Sequence, residues 1–492
     1  MRNFTLYDLY VRNSRVCGDE TAVVAGGQRL KFDTLLEESD ALAGYLAEQG
    51  VSTGDRVAAL AMNHPDYFVL VGAVACLGAI LVPLNWRLST EELAYILQDS
   101  SPKFIFTDKH QFDVATELSE ALSVPVVRFG DFATLAGGVG RGNAFVDISE
   151  EAPFCIIYTA AVEGKPRGAV LSHCNLVSAN LQVIISMGLT ADDVNLNMLP
   201  LFHITGINLA LAVMQVGGKN VVMEKFNEQE SLALTVQEKV SIWGSFPPIL
   251  QRLVAETEAG DYDLSSLKHA VGLDGPDNIV SFEKVTGGRF WILYGQSETS
   301  GFVTFSPASE KFGTAGKQGV LSTYMLVDGN DKEVVPGEVG EIVVQGPLVF
   351  QGYWQLEEVN AVTFRNGWHH TGDLGMVDEE GYLVFKGRKP EKELIKPGGE
   401  NVYPAEVEAV ILEHPAVEAV SVIGVPDPKF GEGVKAVCQL KAGEELDAST
   451  LIEFVGSRIA RYKKPGYVEF VSALPMQGDK IDRAKVKELY GG

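Results

Sequence analysis

One run of eighteen uncharged residues does most to decide what this chain can fold into. The run is YFVLVGAVACLGAILVPL, residues 67–84, and its length is at the border of what a membrane-spanning helix needs. Gly78 divides it and Pro83 closes it, which favours a buried helix up to Leu77 followed by a buried strand from Ala79. A strand buried on both faces is typical of a parallel sheet covered by helices. The run therefore predicts an α/β fold and no integral membrane span.

Helical and strand patterns alternate along the first two-thirds of the chain. Residues 32–50, FDTLLEESDALAGYLAEQG, place apolar side chains at helical spacing, and DRVAALAM follows as a strand. This alternation predicts mainly parallel sheets with helices on their faces. From about Lys317, GEVGEIVVQG and GYLVFKGR are short strand patterns with glycine turns, and they predict a small antiparallel β-barrel or sheet.

A third pattern begins after Arg388 and predicts a small α+β domain. Residues 405–427 read as helix, turn and strand, and residues 451–465 read as a helix that ends in basic residues and Pro465. A chain of 492 residues is also too long for a single core. We therefore place an N-terminal domain at residues 1–387, a hinge at 388–393 and a C-terminal domain at 394–492.

Composition excludes several classes of partner. The formal net charge of −25 argues against nucleic acid and against an anionic membrane surface. An anionic substrate would need a local cluster of cations, because the overall field opposes it. The five cysteines are odd in number, lack metal-ligand spacing and follow an N-terminus without a signal-peptide pattern. We expect reduced thiols in a cytoplasmic protein, and a homo-oligomer stays open.

The stretch YTAAVEGKPRGAVLSH, residues 158–173, has parts of a phosphate-binding loop. It is not a Walker loop, because Pro166 stands where that motif needs Ser or Thr after Gly-Lys. The preceding FCIIY is a buried strand pattern, and Ser172 is a candidate N-cap for a following helix. A strand–turn–helix with glycines and basic residues can hold phosphate through backbone N–H groups. Alone, however, the stretch is better explained as a surface turn.

Three further stretches change that balance. They are LYGQSETSG with Glu298, GWHHTGDLG with Asp373, and GRKPEKELIKPGGENVYPAEVE with Arg388 and Lys396. Each has a plain explanation by itself: a solvated carboxylate, an aspartate turn beside two histidines that invite a metal assignment, and a basic surface loop. Their order and spacing, together with LPLFHITG, GEVGEIVVQGPLVFQGYW and GDKIDR, resemble the adenylate-forming superfamily of acyl-CoA synthetases, carrier-loading adenylation domains and firefly-type luciferases. PLNWRLS is most similar to the acyl- and aryl-CoA synthetase branch.

The resemblance implies a large adenylating N-terminal domain with an ATP site, and a small mobile C-terminal domain. It implies contacts along the triphosphate from Thr159, Gly164, Lys165, Arg167 and Gly168. It implies contacts around the adenine from Asp274, Gly275, Tyr294 and Gly295. Ser297 would contact the α-phosphate, and Asp373 and Arg388 would lie at the ribose. Tyr294 would stack on the adenine. Glu298 would hold Mg²⁺, since such sites need one carboxylate and waters rather than a protein cage.

The resemblance also implies residues for the second substrate and for domain movement. Lys480 would be the mobile lysine of the C-terminal domain that enters the site for adenylation. Lys392 or Glu393 would be the pivot of the hinge. Gly398 and Gly399 would line the path of CoA. His203, Trp243 and Phe246 would line the acyl pocket, and His203 would also orient the substrate carboxylate.

The activity implied is ATP- and Mg²⁺-dependent conversion of a hydrophobic carboxylic acid, fatty or aromatic, into an acyl-adenylate and then a coenzyme A thioester. AMP and pyrophosphate would be released. Two alternatives stay open: loading of a separate carrier protein, and non-catalytic binding of a nucleotide or acyl group. The second is motivated by residues 160–163, Ala-Ala-Val-Glu, which replace the usual run of Ser, Thr and Gly. Ser297 likewise stands where the family usually has Thr.

Overall fold

The structure is a computed structural model that describes residues 4–132, 144–159, 165–389, 394–477 and 480–491. Its strands, in chain order, are β1 (Thr21–Ala25), β2 (Gln28–Lys31), β3 (Arg56–Leu60), β4 (Ile80–Leu84), β5 (Phe104–Thr107), β6 (Val126–Arg128), β7 (Pro153–Thr159), β8 (Arg167–Ser172), β9 (Val194–Asn197), β10 (Lys219–Val222), β11 (Ile242–Ser245), β12 (His269–Gly272), β13 (Arg289–Tyr294), β14 (Thr304–Pro307), β15 (Thr323–Val327), β16 (Val339–Gln345), β17 (Gly352–Tyr353), β18 (His369–Val377), β19 (Leu383–Arg388), β20 (Val417–Asp427), β21 (Gly431–Leu440), β22 (Tyr467–Val471), β23 (Met476–Gln477) and β24 (Lys480–Ile481).

The helices lie between these strands and cover their faces. In chain order they are α1 (Leu6–Cys17), α2 (Phe32–Glu48), α3 (Asp66–Leu77), α4 (Thr90–Ser100), α5 (Phe112–Leu122), α6 (His173–Met187), α7 (Ile204–Val216), α8 (Glu228–Glu238), α9 (Ile249–Ala259), α10 (Pro276–Thr286), α11 (Glu357–Thr363), α12 (Pro404–Leu412), α13 (Ala448–Gly456) and α14 (Arg483–Tyr490).

Two large sheets form the body of the N-terminal region. Over the described ranges, the first has the order β17-β8-β7-β4-β3-β5-β6 and the second has the order β14-β13-β12-β11-β9-β10-β1-β2. Their central pairs are parallel, while β2, β14, β8 and β17 join antiparallel at the edges. This confirms the α/β class predicted from the alternating pattern.

The uncharged run folds as its glycine and proline predict. Every residue from Tyr67 to Leu77 is buried in α3, and Gly78 ends this helix in the left-handed conformation at φ 65°. The next residues form β4, which is buried along its whole length and runs parallel to β3. Because both faces are covered by protein, the absence of charge reflects a core position. Within the described ranges, no helix combines the length and apolarity needed to span a membrane.

The later part of the chain holds smaller sheets. Strands β15, β16, β18 and β19 form an open antiparallel sheet, so of the barrel and the sheet predicted from the glycine-rich pattern the described residues give the sheet. Strands β20, β21 and β22 form a second one, with β20–β21 antiparallel and β21–β22 parallel. A buried cluster from Ile395 to Ile459 packs between this last sheet and its helices. The core of the C-terminal region is therefore built from its own residues.

Two local predictions are wrong. The helix predicted to begin at Ser172 is confirmed, but residues 167–172 before it, predicted as part of the turn, form β8, which pairs antiparallel with β7 from Thr159↔Arg167 to Pro153↔Ser172. The glycine-rich stretch is thus the end of a β-hairpin, and the helix capped by Ser172 begins at the far end of β8. The helix predicted over 451–465 ends at Gly456, before the basic residues, because the buried side chains of Ile459 and Ala460 take the chain back into the core.

Candidate functional site

A cavity of about 1030 Å³ lies where the N-terminal and C-terminal regions meet. Its wall includes predicted site residues from separate elements, namely Thr159, Arg167, His203, Phe246, Tyr294, Gly295, Ser297, Glu298, Asp373 and Arg388. The C-terminal region adds two stretches, residues 394–403 with Lys396 and Tyr403, and residues 481–487 with Arg483. The structure therefore brings together side chains that are far apart in sequence around a single space.

Asp373 organises one wall of the cavity. Its Oδ2 accepts hydrogen bonds from the Tyr294 hydroxyl at 2.8 Å and from Gln296 Nε2 at 2.7 Å, and its Oδ1 lies 3.0 Å from Arg388 Nε. Asp373 and Arg388 face each other across β18 and β19, which fixes this ion pair. Burial and the charge of Asp373 raise the pKa of Tyr294 well above its usual range. The tyrosine is therefore a neutral hydrogen-bond donor held in one orientation.

Glu298 lines the same cavity, in a short 3₁₀ turn at Ser297–Thr299. Its Oε1 accepts a hydrogen bond from the Tyr353 hydroxyl at 2.9 Å, and the Thr159 hydroxyl lies 3.5 Å from the same oxygen. The Arg167 guanidinium lies 5.8 Å from the centre of the Tyr353 ring. A nearly buried carboxylate on a cavity wall, with a hydroxyl and a cation beside it, fits the single protein ligand that a phosphate-bound Mg²⁺ needs.

The hairpin between β7 and β8 brings only part of the predicted phosphate loop to the cavity. Thr159 and Arg167 close the hairpin and line the wall. Lys165 is exposed, and its Nζ lies 5.5 Å from the ring centre of Tyr95, away from the wall. Gly168 is buried inside β8, where a Cβ would approach Ile156 Cγ2 to 2.5 Å, so packing explains this glycine. Gly164 and residues 160–163 lie outside the described residues.

The predicted adenine-edge residues lie beyond the wall. Leu273 lines the cavity, but neither of its described neighbours Asp274 and Gly275 does. Asp274 Oδ1 instead accepts hydrogen bonds from the Gly275 N–H at 2.8 Å and from Asn278 Nδ2 at 2.6 Å. Gly275 is the exposed N-cap of α10. The Asp274 side chain is therefore hydrogen-bonded to its own segment at the start of α10, which the sequence pattern did not distinguish from a nucleotide contact.

The acyl-pocket prediction separates into two outcomes. His203 caps α7 through its Nδ1, which accepts from the Thr205 N–H at 3.3 Å, and its ring meets Phe246 edge-on at 6.1 Å, with both on the cavity wall. Burial and nearby cations lower the pKa of His203 to about 4, so this imidazole is neutral near pH 7. Trp243 does not line this cavity: it packs in a separate buried cluster, and its indole donates to Thr235 Oγ1 at 3.0 Å.

The loop at 394–403 contributes contacts that the sequence pattern did not separate from a basic surface loop. Lys396 lines the cavity, and burial together with the charge of Arg388 lowers the pKa of its ammonium to about 8. Gly398 has φ 59°, and its N–H donates to the Phe430 carbonyl at 3.0 Å. A Cβ there would lie 3.6 Å from the Pro247 carbonyl oxygen, so this glycine sits against the N-terminal region.

Two predicted residues of the moving parts are only partly described. Lys480 begins β24, and the residues that follow it, Ile481 to Ala484, line the cavity; its side chain lies outside the described residues. Gly399 is described only as part of a short turn, and Lys392 and Glu393 lie wholly outside the described residues. Their roles stay predictions.

The histidine pair does not form a metal centre. His370 does lie with Asp331 and Glu341 at ligand-like spacing. However, Glu341 Oε2 already accepts from Lys389 Nζ at 2.7 Å and lies 3.2 Å from Arg365, besides contacting His370 at 3.0 Å. These cations already neutralise the carboxylates, so the cluster is an ion-pair network.

Comparison with known proteins agrees with this geometry. The family model described as AMP-binding enzyme matches residues 11–354, and that of the AMP-binding enzyme C-terminal domain matches residues 406–479. The chain is 36% identical to a feruloyl-CoA synthase of Amycolatopsis sp, with 100% of each chain covered. It is 33% identical to an indoleacetate–CoA ligase of Aromatoleum aromaticum, over 96% of this chain and 95% of that protein.

A solved structure is similar over nearly the whole chain. The o-succinylbenzoate CoA synthetase of Bacillus subtilis, bound with its product analogue, superimposes with a TM-score of 0.89 at 28% identity, covering 99% of this chain and 98% of that one.

Proposed function

We propose an activity from one established premise: the chain belongs to the AMP-binding enzyme family, in its adenylate-forming acyl-CoA synthetase branch. The proposed activity is ATP- and Mg²⁺-dependent ligation of a hydrophobic aromatic carboxylic acid to coenzyme A, through an acyl-adenylate, with release of AMP and pyrophosphate. The observation that carries it is the cavity in which Glu298, the Asp373–Arg388 pair and the loop bearing Gly398 face one another.

The charges of this cavity suit a triphosphate. The chain has a net charge of −25, so a polyanion needs local cations to bind. Arg167, Arg388 and Lys396 all line the wall and supply them. Asp373 supplies a carboxylate beside Arg388 for neutral donors such as ribose hydroxyls. Cations and buried carboxylates lie side by side on this wall, which supports a nucleotide, with its phosphates and hydroxyls, rather than a simple acidic ligand.

The first step must bring two negatively charged groups together. A substrate carboxylate and the α-phosphate repel each other, and a Mg²⁺ held by Glu298 would supply the charge that reduces this repulsion. Lys480, on the segment that borders the cavity, would stabilise the negative charge that develops as the carboxylate oxygen attacks the α-phosphorus. AMP is then a good leaving group when a thiolate attacks the acyl carbon. The neutral His203 would orient the substrate carboxylate without adding charge.

The acid is proposed to be aromatic because part of the cavity wall is apolar. Phe246, Leu273, Ile292 and the His203 ring provide apolar and aromatic surface. Gly301, at φ 84°, lies beside Ile204 and leaves room where any larger residue would project. Aromatic acids stack on such walls at little cost in conformational entropy. The relatives reported above carry aromatic acids in their names, which supports the same class.

The domain boundary is proposed to lie at residues 388–393, as the sequence predicts. On one side, the Lys389 N–H donates to the Gly372 carbonyl at 2.9 Å, and its Nζ pairs with Glu341, which fixes this residue to the N-terminal domain. On the other side, Ile395 is bridged to Val402 and is buried in the C-terminal core. A hinge between these two anchors would let residues 394–492 move as a body. We propose that the enzyme works in the cytoplasm, where ATP and CoA are available.

One experiment tests the activity. The purified protein is incubated with ATP, Mg²⁺, CoA and a panel of hydroxycinnamic, arylacetic, benzoic and medium- to long-chain fatty acids, and AMP and acyl-CoA are quantified by mass spectrometry. We expect AMP and thioester in equal amounts with at least one aromatic acid. Asp373→Asn is the matched control, since it keeps the size of the side chain and removes its charge.

The other outcomes decide between the alternatives. Thioester with fatty acids only would replace the aromatic class. AMP formation that needs a phosphopantetheinylated carrier protein in place of CoA would identify a carrier-loading enzyme. ATP binding without AMP formation with any acid would leave the non-catalytic binder.

A further inference from the structure

Lys463 is a buried cation at the boundary between the two domains. It follows α13 and is 1% exposed. Its ammonium lies 2.5 Å from Glu92 Oε1, at the start of α4 in the N-terminal domain, and forms a second ion pair with Glu406 Oε2 in α12 of its own domain. A buried ammonium is stable only when paired, and here one partner belongs to each domain.

Glu92 also serves two domains at once. Its Oε2 accepts the Ser89 N–H at 2.8 Å, which is half of the capping box that begins α4. The same oxygen accepts the N–H of Ala460, in the C-terminal domain, at 3.1 Å. One carboxylate therefore receives one donor from its own helix and two from the other domain.

Each member of this contact keeps a partner if the domains separate. Lys463 would keep Glu406, and Glu92 would keep the Ser89 N–H. Separation thus removes a charge-assisted contact without leaving a buried ammonium unpaired, which would be far more costly. An interdomain ion pair without such local partners would fix the two domains together; this one can open and close.

The contact lies beside the loop that faces the cavity. Arg87, three residues before α4, forms an ion pair with Glu400, two residues after Gly398. The contact at Glu92 and this ion pair therefore hold the same orientation, in which Gly398 rests against the N-terminal domain. The family resemblance implies that Gly398 faces the site during transfer of the acyl group to CoA.

We propose that Glu92, Lys463 and Glu406 form a reversible interdomain contact that favours the orientation for thioester formation. Glu92 and Lys463 are then positioning residues for the second half-reaction, while Glu406 lets the domains separate for the first. This inference rests on the proposed function. It adds three charged residues that set the relative populations of the two domain orientations.

The test compares two substitutions that remove the same charge. Glu92→Gln keeps the capping box, because Gln also accepts the Ser89 N–H, but it weakens the hold on Lys463. Glu406→Gln leaves Lys463 with Glu92 alone, so that separation would strand the cation. Both half-reactions are measured for each protein: pyrophosphate release with acid and ATP, and thioester formation from supplied acyl-adenylate and CoA in a single turnover.

We expect opposite shifts. Glu92→Gln should lower the ratio of thioester-forming rate to adenylation rate by roughly ten-fold, which corresponds to about 1.4 kcal/mol, within what one charge-assisted hydrogen bond contributes. Glu406→Gln should raise the same ratio. A purely structural role would lower both rates together in both variants, and such a result would overturn the proposal.

Hydrogen exchange gives a measurement that does not depend on catalysis. Separation of the domains breaks the hydrogen bond from the Ala460 N–H to residue 92. Because Glu92→Gln weakens the hold on Lys463 and favours separation, the peptide containing Ala460 should exchange faster in this variant than in the unmodified protein, without substrates. Glu406→Gln should not show this increase. Unchanged exchange in Glu92→Gln would refute the contact even if the enzyme is active. Changed exchange in a protein that makes no adenylate would instead count against the proposed function alone.

Discussion

Substitution of Gly295 by alanine tests whether backbone packing sets the position of the turn at Ser297–Thr299, which carries Glu298. Gly295 follows β13 and lines the cavity. A Cβ at this position would lie 2.2 Å from the Gly301 carbonyl oxygen and 2.8 Å from the Phe302 nitrogen, both of them backbone atoms that cannot rotate away. Ordinary contact begins at 3.4 Å. The Gly301 carbonyl must therefore move by about 1.2 Å, the difference between 3.4 and 2.2 Å.

A movement of the Gly301 carbonyl would also move the turn that carries Glu298. The Gly301 N–H donates to the Gln296 carbonyl at 2.9 Å, which closes the loop that carries Ser297 and Glu298. A misplacement of about 1 Å in a catalytic group costs on the order of 10²-fold in rate. Forcing one extra methyl group into a packed site costs about 1–3 kcal/mol of stability. We expect Gly295→Ala to show both effects.

The assay measures adenylation by pyrophosphate release and stability by thermal and urea unfolding. Gly329→Ala is the matched control, because a Cβ at the exposed Gly329 meets no heavy atom within 4 Å and its φ is not positive. This control should match the unmodified protein in both measurements. If Gly295→Ala also matches it, packing does not position the turn. If stability falls while adenylation is unchanged, the loop adapts without moving Glu298, and the link from packing to rate is wrong.

Three other predictions test separate parts of the site. Lys480→Ala should abolish pyrophosphate release with acid and ATP yet still convert supplied acyl-adenylate and CoA into thioester; equal loss of both would contradict its role in adenylation. Gly398→Leu should spare adenylation and slow thioester formation, because φ 59° disfavours leucine and its Cβ would lie 3.2 Å from the Phe430 ring; unchanged CoA kinetics would remove this glycine from the CoA path. His203 has a pKa of about 4 in the fold against 6.5 when unfolded, so the unfolded chain binds more protons between these values, and stability falls as the pH drops from 6.5 towards 4, by up to ~1.4 kcal/mol per pH unit. Urea unfolding measures the free energy of unfolding at pH 7 and at pH 5. Its decrease between these pH values should be smaller in His203→Gln, because the variant lacks the contribution of this histidine.

The sequence determined the features that depend on neighbours along the chain. Gly78 and Pro83 divide an uncharged run into α3 and β4, because a left-handed glycine ends a helix and the following apolar residues suit a strand buried on both faces. The order of motifs identified the family, and residues such as Tyr294 and Glu298 met at a cavity as their motifs imply. These features can be predicted from sequence because each depends on residues that are neighbours along the chain. Each motif also contains enough residues to be specific.

Pairing between strands was not readable from the same local signals. A glycine-rich stretch before a strand or a helix looks alike in sequence, so only the register of β7 with β8 showed a hairpin. Trp243 and Phe246 follow each other closely, yet the alternation of β11 sends Trp243 to the opposite face, and which face meets the cavity depends on the helices packed there. Asp274 was similarly taken up by the N-terminus of α10.

Only the tertiary structure decided the contacts between distant charges. Lys463 read as one of several basic residues at a helix end, a position where lysines are usually solvated. Its ammonium is instead buried against Glu92, 371 residues away in sequence. No local pattern marks such a pair, because each residue is ordinary in its own segment. The contact exists only because the folding of two domains brings α4 and the segment after α13 together, and burial then makes an unpaired charge too costly to leave.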